Sequence, residues 1–546
     1  MEPVEPQTTD VLILGSSIAG LMAAAWFRHA LPDLRVVVVG PKVGEEKRPI
    51  VGESLVEPAI LFFTELGLAP ELAARHELKN GLTFYHKLSP RDPSDRRYSV
   101  HAPMEKLHYR SRQLHRPAFD IQLGRLAART GARFIEGRVG EVTVGKGGAL
   151  HRARGPGFDL TARWIVDATG RNRVLGRQVT RYERPAEGQR SAFWFRLADF
   201  DPLLPKLELS WRRPTDYDLW QSTHHFMGHG NWIWGIPLQG DHGEQLLSLG
   251  ITWCPDVLPV ELRTLDEFLA HVDGEHPAIG DLVRSGRVLD TNLYRNYLYR
   301  AEQVYSADGW FLIGDAARTV DPLYSTGLSM SVVQIEQITE IIRRQRESSI
   351  DAAAIEDLQE LWKTVAGIRQ ADITDQYKTM GDPFQACMRR YWNLCGWFNG
   401  LLPLWWNGYL CDPAAARVLR RFFEAGTGPT KAAWQLFGEV ARDLGEVDQA
   451  MFDRTVDFDW LINRRFDCSP DELPHQLGHM LWKRARLRWN LLGMTRYRHL
   501  RTQLRPLLRE LALAGLVRTV AFRHPALRRD RPRRRYLAAS QLAAST

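Results

Sequence analysis

The sequence predicts an α/β protein in which a parallel sheet is combined with an inserted antiparallel sheet and a helical C-terminal region. Continuous apolar runs at residues 10–15 and 35–39 flank a helical stretch at residues 19–30. Such runs, without polar alternation, are typical of central parallel strands covered on both faces. Two more strands of this kind, at residues 164–170 and 309–315, come much later, so we expect the parallel sheet to assemble from distant segments.

The intervening and C-terminal segments predict the other two parts of the molecule. Residues 191–197 and 246–253 have strand character and predict an antiparallel sheet inserted at about residues 185–300. Beyond residue 350 the pattern is helical, with one apolar face formed by Leu358, Leu361, Trp362, Val365 and Ile368. We therefore expect a core at residues 1–350 and a mostly helical region at residues 351–546, because a chain of 546 residues is too long for one ordinary domain.

The composition is that of a soluble globular protein, with 44% hydrophobic and 25% charged residues. The five cysteines form no CxxC or metal-binding pattern, so we expect no metal site and a reducing, cytoplasmic location. The short acidic opening does not resemble a secretory signal. The longest uncharged run, residues 391–411, contains asparagine, glycine and proline, which argues against a membrane span and favours a buried aromatic helix pair or a lid over a hydrophobic substrate.

The charge of the chain is unevenly distributed. Residues 483–535 contain 17 Lys or Arg and two acids, a net charge of +15, whereas the whole chain carries +8, which leaves −7 on the remainder. A basic tail of this kind can attract an acidic partner. No zinc or RNA-binding signature accompanies it, so we do not expect nucleic acid. A solvated helical face is the alternative interpretation.

The turn after the first strand carries a nucleotide-binding pattern, Gly15-Ser-Ser-Ile-Ala-Gly20. Gly15 allows the tight turn, Gly20 allows the helix to approach the strand, and amides around Ser17 and Ala19 can reach a pyrophosphate at the helix N-terminus. The second strand ends at Gly40 rather than at the acidic residue that binds an adenosine ribose. The pattern therefore predicts a dinucleotide cofactor without that acidic ligand.

Four further motifs, in the same order along the chain, resemble those of flavin-dependent monooxygenases and halogenases. Gly52 and Glu53 lie in a V-G-E-S motif after the second strand, and Gln113 and Arg116 begin a stretch that resembles Q-x-x-R-x-x-F-D-x-x-L. Residues 166–170 resemble the second nucleotide-contact motif, and Gly314-Asp315 resembles the pair whose carboxylate binds the ribityl chain. The resemblance implies an FAD-binding, Rossmann-like core of the p-hydroxybenzoate hydroxylase type.

The segment Trp232-Ile-Trp-Gly-Ile-Pro237 reads W-x-W-x-I-P, a string that flavin-dependent halogenases carry beside the flavin. Alternate side chains of a strand point to one face, so Trp232 and Trp234 are expected to form one wall. With Pro237, they are predicted to line the tunnel next to the cofactor. Taken alone, the same string would be compatible with an aromatic core strand.

Residues 79–84 resemble the K-x-G-x-x-F segment of halogenases that act on phenols and pyrroles. In that family the lysine is the essential active-site residue, which implies a catalytic role for Lys79. Its ammonium group could donate a hydrogen bond to hypohalous acid, or its amine could form a haloamine. The sequence leaves both mechanisms open.

Residues 321–327 resemble the D-P-L-x-S-x-G loop of the same halogenases. The resemblance places the halide on the amides of Thr326 and Gly327, with Gly327 also beside the flavin, and places Ser325 near Lys79 as a second catalytic residue. Tryptophan halogenases have a glutamate where this chain has Tyr324. Free tryptophan is therefore not expected as the substrate, and a phenol, whose hydroxyl activates the ring, is.

Together these motifs imply a flavin-dependent halogenase. The expected reaction uses reduced FAD from a separate flavin reductase, O2, and chloride or bromide, and transfers halogen from hypohalous acid to a small phenolic compound. The alternatives are a flavin-dependent aromatic hydroxylase, a halogenase whose substrate is bound to an acyl carrier protein, and a scaffold protein that has kept FAD but lost turnover.

Overall fold

The computed structural model describes residues 5–44, 50–88, 92, 94–103, 105–211, 215–444, 466, 468–469 and 471–519. Residues 520–535 of the predicted basic tail lie outside these ranges. The two ends of the chain, residues 1–4 and 536–546, lie outside them as well. Among the described helices, none is both long and apolar enough to cross a membrane.

The strands and helices alternate in the first half of the chain, and helices follow one another in the second. The strands are β1 Gln7–Leu14, β2 Val36–Gly40, β3 Glu77–Lys79, β4 Leu82–Lys87, β5 Arg97–His101, β6 Ser111–Gln113, β7 Arg133–Glu136, β8 Glu141–Thr143, β9 His151–Gly155, β10 Phe158–Asp167, β11 Tyr182–Glu183, β12 Ser191–Ala198, β13 Glu208–Trp211, β14 Thr223–Met227, β15 Asn231–Gln239, β16 Gln245–Trp253, β17 Arg287–Tyr294, β18 Arg300–Ala301 and β19 Trp310–Leu312. The helices are α1 Ile18–Ala30, α2 Glu57–Glu65, α3 Ala69–Arg75, α4 Arg116–Arg129, α5 Gly176–Val179, α6 Leu265–Glu275, α7 Pro277–Ser285, α8 Gly327–Arg346, α9 Ala352–Thr374, α10 Pro383–Gly396, α11 Leu402–Trp406, α12 Pro413–Leu444, α13 Leu473–Met494 and α14 Leu500–Thr519.

The first sheet has the strand order β7-β2-β1-β10-β9-β8, with β19 beside the C-terminal half of β10. Strands β7, β2, β1, β10 and β19 run parallel, and β8 and β9 form an antiparallel extension. The four valines of β2 are buried, as expected for a strand covered on both faces. The predicted fold class, with a parallel sheet built from distant segments, is confirmed.

The second sheet has the order β13-β5-β4-β14-β15-β16-β12-β17 and is mostly antiparallel. Strands β4 and β5 come from before residue 185, so the sheet is wider than the segment predicted to form it. Two of its pairs, β4 with β14 and β5 with β13, are parallel. Helices α6 and α7 cover one face of this sheet, through buried residues that include Phe268 and Leu282. The opposite face carries Trp194, Trp232 and Trp234 and is left to form the functional site.

The C-terminal helices pack on the parallel sheet and share its hydrophobic core. Side chains from α8 to α13 and from β1, β2 and β10 belong to one continuous buried cluster. The uncharged run at residues 391–411 forms the end of α10, a π-helical turn at Trp397–Leu401 and helix α11, and most of its side chains are buried. The domain boundary near residue 350 stays a prediction.

A fully buried ion pair joins the second sheet to the loop before α8. Arg190, just before β12, donates from Nε to Oδ2 of Asp321 at 2.7 Å, and both side chains are inaccessible to solvent. The hydroxyl of Tyr377 donates to the same carboxylate oxygen at 2.7 Å, and its ring lies 3.7 Å from the Arg190 guanidinium carbon. Trp232 Nε1 in turn donates to the Tyr377 hydroxyl at 2.8 Å. This network fixes four segments that are distant in sequence.

We expect Asp321→Asn to destabilise the protein by about 3–5 kcal/mol, because it leaves the Arg190 charge buried without its counter-ion. Denaturant or thermal unfolding of the wild type and the variant would measure the loss. The double variant Arg190→Met with Asp321→Leu should lose less than Asp321→Asn, since it removes both charges together. If Asp321→Asn unfolds with the same free energy as the wild type, the ion pair does not have the importance assigned to it.

Candidate active site

A cavity of about 340 Å³ lies between the parallel sheet and the face of the second sheet that carries Trp194, Trp232 and Trp234. Most of the residues predicted to bind the cofactor line it, namely Ser17, Ala19, Gly52, Glu53, Arg116, Gly314, Asp315 and Gly327. The two tryptophans and Ser325 line it as well. The separate motifs of the sequence therefore meet at one cavity.

The remaining predicted cofactor residues, Gly15, Gly20 and Gln113, lie behind the cavity wall. Gly15 has φ +104°, and a Cβ atom there would be 2.5 Å from the carbonyl oxygen of Ala168. A Cβ atom on Gly20 would be 2.1 Å from the carbonyl oxygen of Gly15. Both glycines are needed for the close packing of the turn, and Ser17 closes it by donating from Oγ to Ala168 O at 2.9 Å.

Charged groups of the cavity have the chemistry that a flavin nucleotide requires. Arg116 is held by a bidentate ion pair with Asp120, both bonds being 2.9 Å. Burial raises the pKa of Glu53 to about 7, and its Oε2 has no hydrogen-bond partner among the described residues. Burial raises the pKa of Asp315 to about 6, although the side chain is accessible from the cavity. Such carboxyl groups can bind hydroxyls and ring nitrogen atoms, so these residues fit FAD.

The tryptophan wall is present, with one correction to its membership. Trp232 and Trp234 line the cavity, and their ring centroids are 5.8 Å apart. The third position on this face of β15 is Ile236. Pro237 was predicted as a wall residue, but it does not line the cavity, because strand alternation places it on the face that carries Ile233. Trp234 rests against Gly250, where a Cβ atom would be 2.3 Å from its ring.

A second cavity, of about 140 Å³, lies beside the first. Lys79, Glu57, Tyr324 and Thr326 line it, together with apolar side chains that include Leu55, Val56, Leu82, Phe84, Val100, Leu394 and Phe398. Residues of α9 and α10 form part of its wall. The C-terminal region therefore closes a largely apolar cavity that contains the predicted catalytic lysine.

Lys79 lies at the end of β3 and is only 1% exposed. Its Nζ donates to Ser54 Oγ at 2.7 Å and to Leu55 O at 2.6 Å. Ser325 Oγ donates to the same Ser54 Oγ at 3.1 Å. Because Ser54 and Ser325 line the first cavity and Lys79 lines the second, this chain of hydrogen bonds connects the two cavities.

The pKa of Lys79 in the second cavity differs from that of a surface lysine. Burial lowers the pKa of Lys79 to about 7, and the nearby Glu57 opposes that shift. Burial raises the pKa of Glu57, while a 3.0 Å hydrogen bond from Trp397 Nε1 and the charge of Lys79 oppose this. Near neutral pH the lysine is therefore poised between its ammonium and amine forms.

The predicted halide loop separates the two cavities at the start of α8. Ser325 has φ +55°, and Thr326 is the residue that precedes the helix. Thr326 lines the second cavity, and Gly327 lines the first. Amides at the start of a helix have no carbonyl partner within the helix, so they can hold an anion between the cavities.

Several residues of the site were missed by sequence reasoning. Thr223 Oγ1 is 2.8 Å from Ser54 Oγ and donates to Gln113 Oε1 at 3.0 Å. Thr223 therefore connects Gln113 to the hydrogen bonds that join Lys79, Ser54 and Ser325. Ser54 belongs to the V-G-E-S motif and could have been identified from it. Glu57 and Thr223 carry no such signal, because an acid in the first turn of a helix and a threonine in a strand are common.

Comparisons with known proteins agree with this geometry. The family model "Tryptophan halogenase" matches residues 91–369, just over half of the chain. Flavin-dependent halogenase chlA of Dictyostelium discoideum is 28% identical over 445 residues, which cover 74% of this chain and 72% of chlA. The 1H-pyrrole-2-carbonyl-peptidyl-carrier protein brominase of Pseudoalteromonas luteoviolacea is 27% identical over 336 residues, 60% of this chain and 75% of the brominase.

Solved structures support the fold. A variant of halogenase PltM in complex with FAD has a TM-score of 0.64 at 18% identity, covering 88% of this chain and 96% of PltM. A variant of the flavin-dependent brominase Bmp2 has a TM-score of 0.55 at 22% identity, covering 69% of this chain and 91% of Bmp2. These matches confirm the predicted fold and the predicted resemblance to flavin-dependent halogenases. They also confirm FAD as the cofactor, with halide and O2 as reactants. The chain belongs to the tryptophan halogenase family of flavin-dependent halogenases.

Proposed function

We propose that this enzyme chlorinates or brominates an electron-rich phenolic compound through hypohalous acid and Lys79. The observation that carries the proposal is the hydrogen-bonded chain from Lys79 through Ser54 to Ser325, which links the cavity lined by the predicted cofactor residues to a separate, largely apolar cavity. An enzyme that used a flavin oxidant directly on its substrate, as a hydroxylase does, would need no such separation.

We assign the first cavity to FAD and the start of α8 to halide. Reduced FAD, supplied by a separate reductase, would give two electrons to O2, and the resulting peroxide-level oxidant would take two electrons from chloride or bromide, with hypohalous acid and water as products. In this assignment the turn at Ser17 holds the pyrophosphate, Asp315 accepts hydrogen bonds from the ribityl hydroxyls, and amides of Thr326 and Gly327 hold the halide. Trp232, Trp234 and Ile236 exclude water from that cavity.

Lys79 acts as a hydrogen-bond donor in this proposal. An ammonium group has three N–H bonds, of which two serve Ser54 and Leu55, so the third is available to the oxygen of hypohalous acid. The ring forms its bond to the halogen, the halogen–oxygen bond breaks, and the oxygen takes a proton from Lys79 and leaves as water. Glu57 accepts the proton that the ring loses, and a proton transfer between Glu57 and Lys79 restores both groups.

The second cavity supports a phenol as the substrate. Its wall is mostly apolar, and its volume of about 140 Å³ is close to the roughly 150 Å³ that holds a benzene molecule in an engineered cavity. Tyr324 takes the place of the glutamate of tryptophan halogenases. A phenol hydroxyl donates electron density into its own ring, so the reaction requires less activation by the enzyme.

A substrate tethered to a carrier protein is the second candidate. Two relatives are named as enzymes acting on a pyrrole carried by a peptidyl carrier protein. The basic residues of α13 and α14 could attract such an acidic protein. We favour a free substrate, because the side chains of α10 already help to enclose the second cavity.

Lys79→Met should reduce halogenation by roughly 100-fold or more, the scale expected on losing a positioned proton donor. FAD binding should be unchanged, because Lys79 does not line the first cavity. Mass spectrometry of a phenol incubated with reductase, bromide and enzyme would measure the product. Lys87→Met is a matched control, since Lys87 is also buried but does not line either cavity. Wild-type turnover in Lys79→Met would contradict the assignment.

The rate of halogenation should fall as the pH rises through about 7. Burial lowers the pKa of Lys79 to that value, so the ammonium form dominates below it and the amine form above it. Single-turnover product formation between pH 5.5 and 8.5, with FAD already reduced, would isolate this step from reductase effects. A rate that instead rises through pH 7 would show that the amine reacts and that a haloamine forms.

Trp234→Leu should increase the hydrogen peroxide released per halogenated product, because it opens space for water beside the flavin. Peroxide and product would be measured in the same reaction. Trp253→Leu removes the same volume from the opposite face of the second sheet, among residues packed against α6, and should leave the ratio unchanged. Equal ratios in both variants would show that Trp234 is only a core residue.

A further inference from the structure

Two arginines from the C-terminal helices line the second cavity, which we assign to the substrate. Arg369 belongs to α9 and Arg390 to α10, and the only acid on the described wall of the cavity is Glu57. With Lys79, the described wall carries three groups that can be positively charged and one acid, since burial lowers the pKa of His101, a fourth basic residue of the wall, well below its usual value. An apolar cavity with this excess of positive charge favours an anionic ligand.

Arg390 is 3% exposed, and its hydrogen-bond partners are two histidines and the Cys387 thiol, with no carboxylate among them. Its Nη2 donates to His86 Nε2 at 3.0 Å and to His101 Nδ1 at 2.8 Å. Burial lowers the pKa of both histidines well below the usual value, so they are neutral acceptors. Among the described residues, no carboxylate is within ion-pair distance of Arg390, whereas buried arginines are usually paired with one.

Arg369 is placed by an aromatic contact near the same position. Its guanidinium carbon lies 5.0 Å from the centre of the Trp397 ring. Burial lowers the pKa of Arg369, and the negative charge of Asp372 opposes that shift. Tyr324 lines the same cavity as Arg369 and Arg390, and the positive charges of both arginines act on its hydroxyl. The hydroxyl of that tyrosine donates to Gln376 Oε1 at 2.9 Å, which leaves its oxygen able to accept.

A neutral polar side chain lines the same cavity. Asn393, one turn after Arg390 on α10, lines the cavity and is 3% exposed. The amide approaches the hydroxyl of Tyr324, another residue of the cavity wall, but neither of its two polar atoms has a partner in full hydrogen-bond geometry within the described chain. A buried amide without a partner is costly, and a ligand that accepts a hydrogen bond would satisfy it.

We infer that Arg369, Arg390 and Asn393 form a carboxylate subsite, and that the substrate is an aromatic acid with a phenolic hydroxyl. The inference rests on the proposed function, since it names the substrate class of the same cavity. A guanidinium group presents a planar set of donors that matches the two oxygens of a carboxylate, whereas a phenolate offers one oxygen. The aromatic ring would then occupy the apolar part of the cavity, next to Lys79.

The test compares 4-hydroxybenzoate with its methyl ester, which has a similar shape but no charge. Binding of each compound to the FAD-loaded enzyme would be measured by calorimetry, and KM and kcat for halogenation would be measured for both. The variants are Arg390→Met, Arg390→Lys and Arg369→Met. Arg389→Met is the matched control, because Arg389 is the neighbouring buried arginine, lies 4.8 Å from the Trp434 ring and does not line the cavity.

The wild type should bind the acid about tenfold or more tightly than the ester, as expected for charge-assisted hydrogen bonds. Arg390→Met and Arg369→Met should lose that preference through a higher KM for the acid, with little change for the ester, and Arg389→Met should keep it. Arg390→Lys retains the charge but not the planar donors, so it should recover the preference only in part. If Arg390→Met does not fold, Arg369→Met and Arg390→Lys provide the same comparison.

The outcomes separate this inference from the proposed function. Arginine-dependent binding of the acid without any halogenated product would support the subsite and overturn the proposed reaction. Halogenation of acid and ester with equal KM, unchanged in the arginine variants, would overturn the subsite and leave the reaction intact. Preferred binding of pentafluorophenol, which is ionised at neutral pH and has no oxygen other than its phenolate, over 4-hydroxybenzoate would also overturn the carboxylate assignment.

Discussion

The buried ion pair between Arg190 and Asp321 is the interaction on which the site depends. Neither charge is exposed to water, so each requires the other, and their hydrogen bonds fix the direction of both side chains. Asp321 also accepts from the amide of Leu323 at 3.1 Å through Oδ1, so its carboxylate shapes the loop that it begins. That loop continues to Ser325 in its left-handed conformation and to Thr326 at the start of α8. A single carboxylate thus holds the second sheet, the halide loop and, through Tyr377, the tryptophan wall in one arrangement.

The separation of two cavities follows from this arrangement. The first cavity, which we assign to FAD, and the second cavity, which we assign to the substrate, are divided by a wall in which Lys79, Ser54 and Ser325 are hydrogen-bonded. Burial in a largely apolar wall lowers the pKa of the lysine into the neutral range, which a surface lysine would not show. Helices α9 and α10, which help to enclose the second cavity, also bring Arg369 and Arg390 to its wall. The enclosure of the second cavity and the preference for an anionic substrate that we infer therefore both depend on the packing of α9 and α10.

Much of the fold and part of the site could be predicted from the sequence. Apolar runs such as β2 identify buried parallel strands by themselves, and the glycines of the first turn are required by the close approach that the structure shows. Strands β4 and β5 were not assigned to the second sheet, because their partners β13 and β14 are far away in sequence and pairing is not encoded locally. Pro237 was misplaced because the motif was interpreted as a unit, although strand alternation puts its last residue on the opposite face from the two tryptophans.

The charges of the substrate cavity were beyond sequence reasoning for a different reason. Arg369 and Arg390 lie on helices whose orientation depends on tertiary packing, and nothing local distinguishes Arg390 from the adjacent Arg389. Only the packed helix shows that one faces His86 and His101 while the other faces Trp434. Lys79 was identified by its motif, but its burial, which determines its chemistry, became evident only in the structure.

The most direct test of the account is whether the oxidised halogen stays inside the protein. Taurine, a small amine that traps free hypohalous acid, would be added in increasing amounts to a reaction of enzyme, reductase, chloride or bromide and a phenolic substrate. Transfer between connected cavities predicts an unchanged yield of halogenated phenol and no N-halotaurine. A yield that falls in proportion to taurine, with N-halotaurine formed in its place, would show that hypohalous acid escapes to solvent and would contradict the two-cavity mechanism.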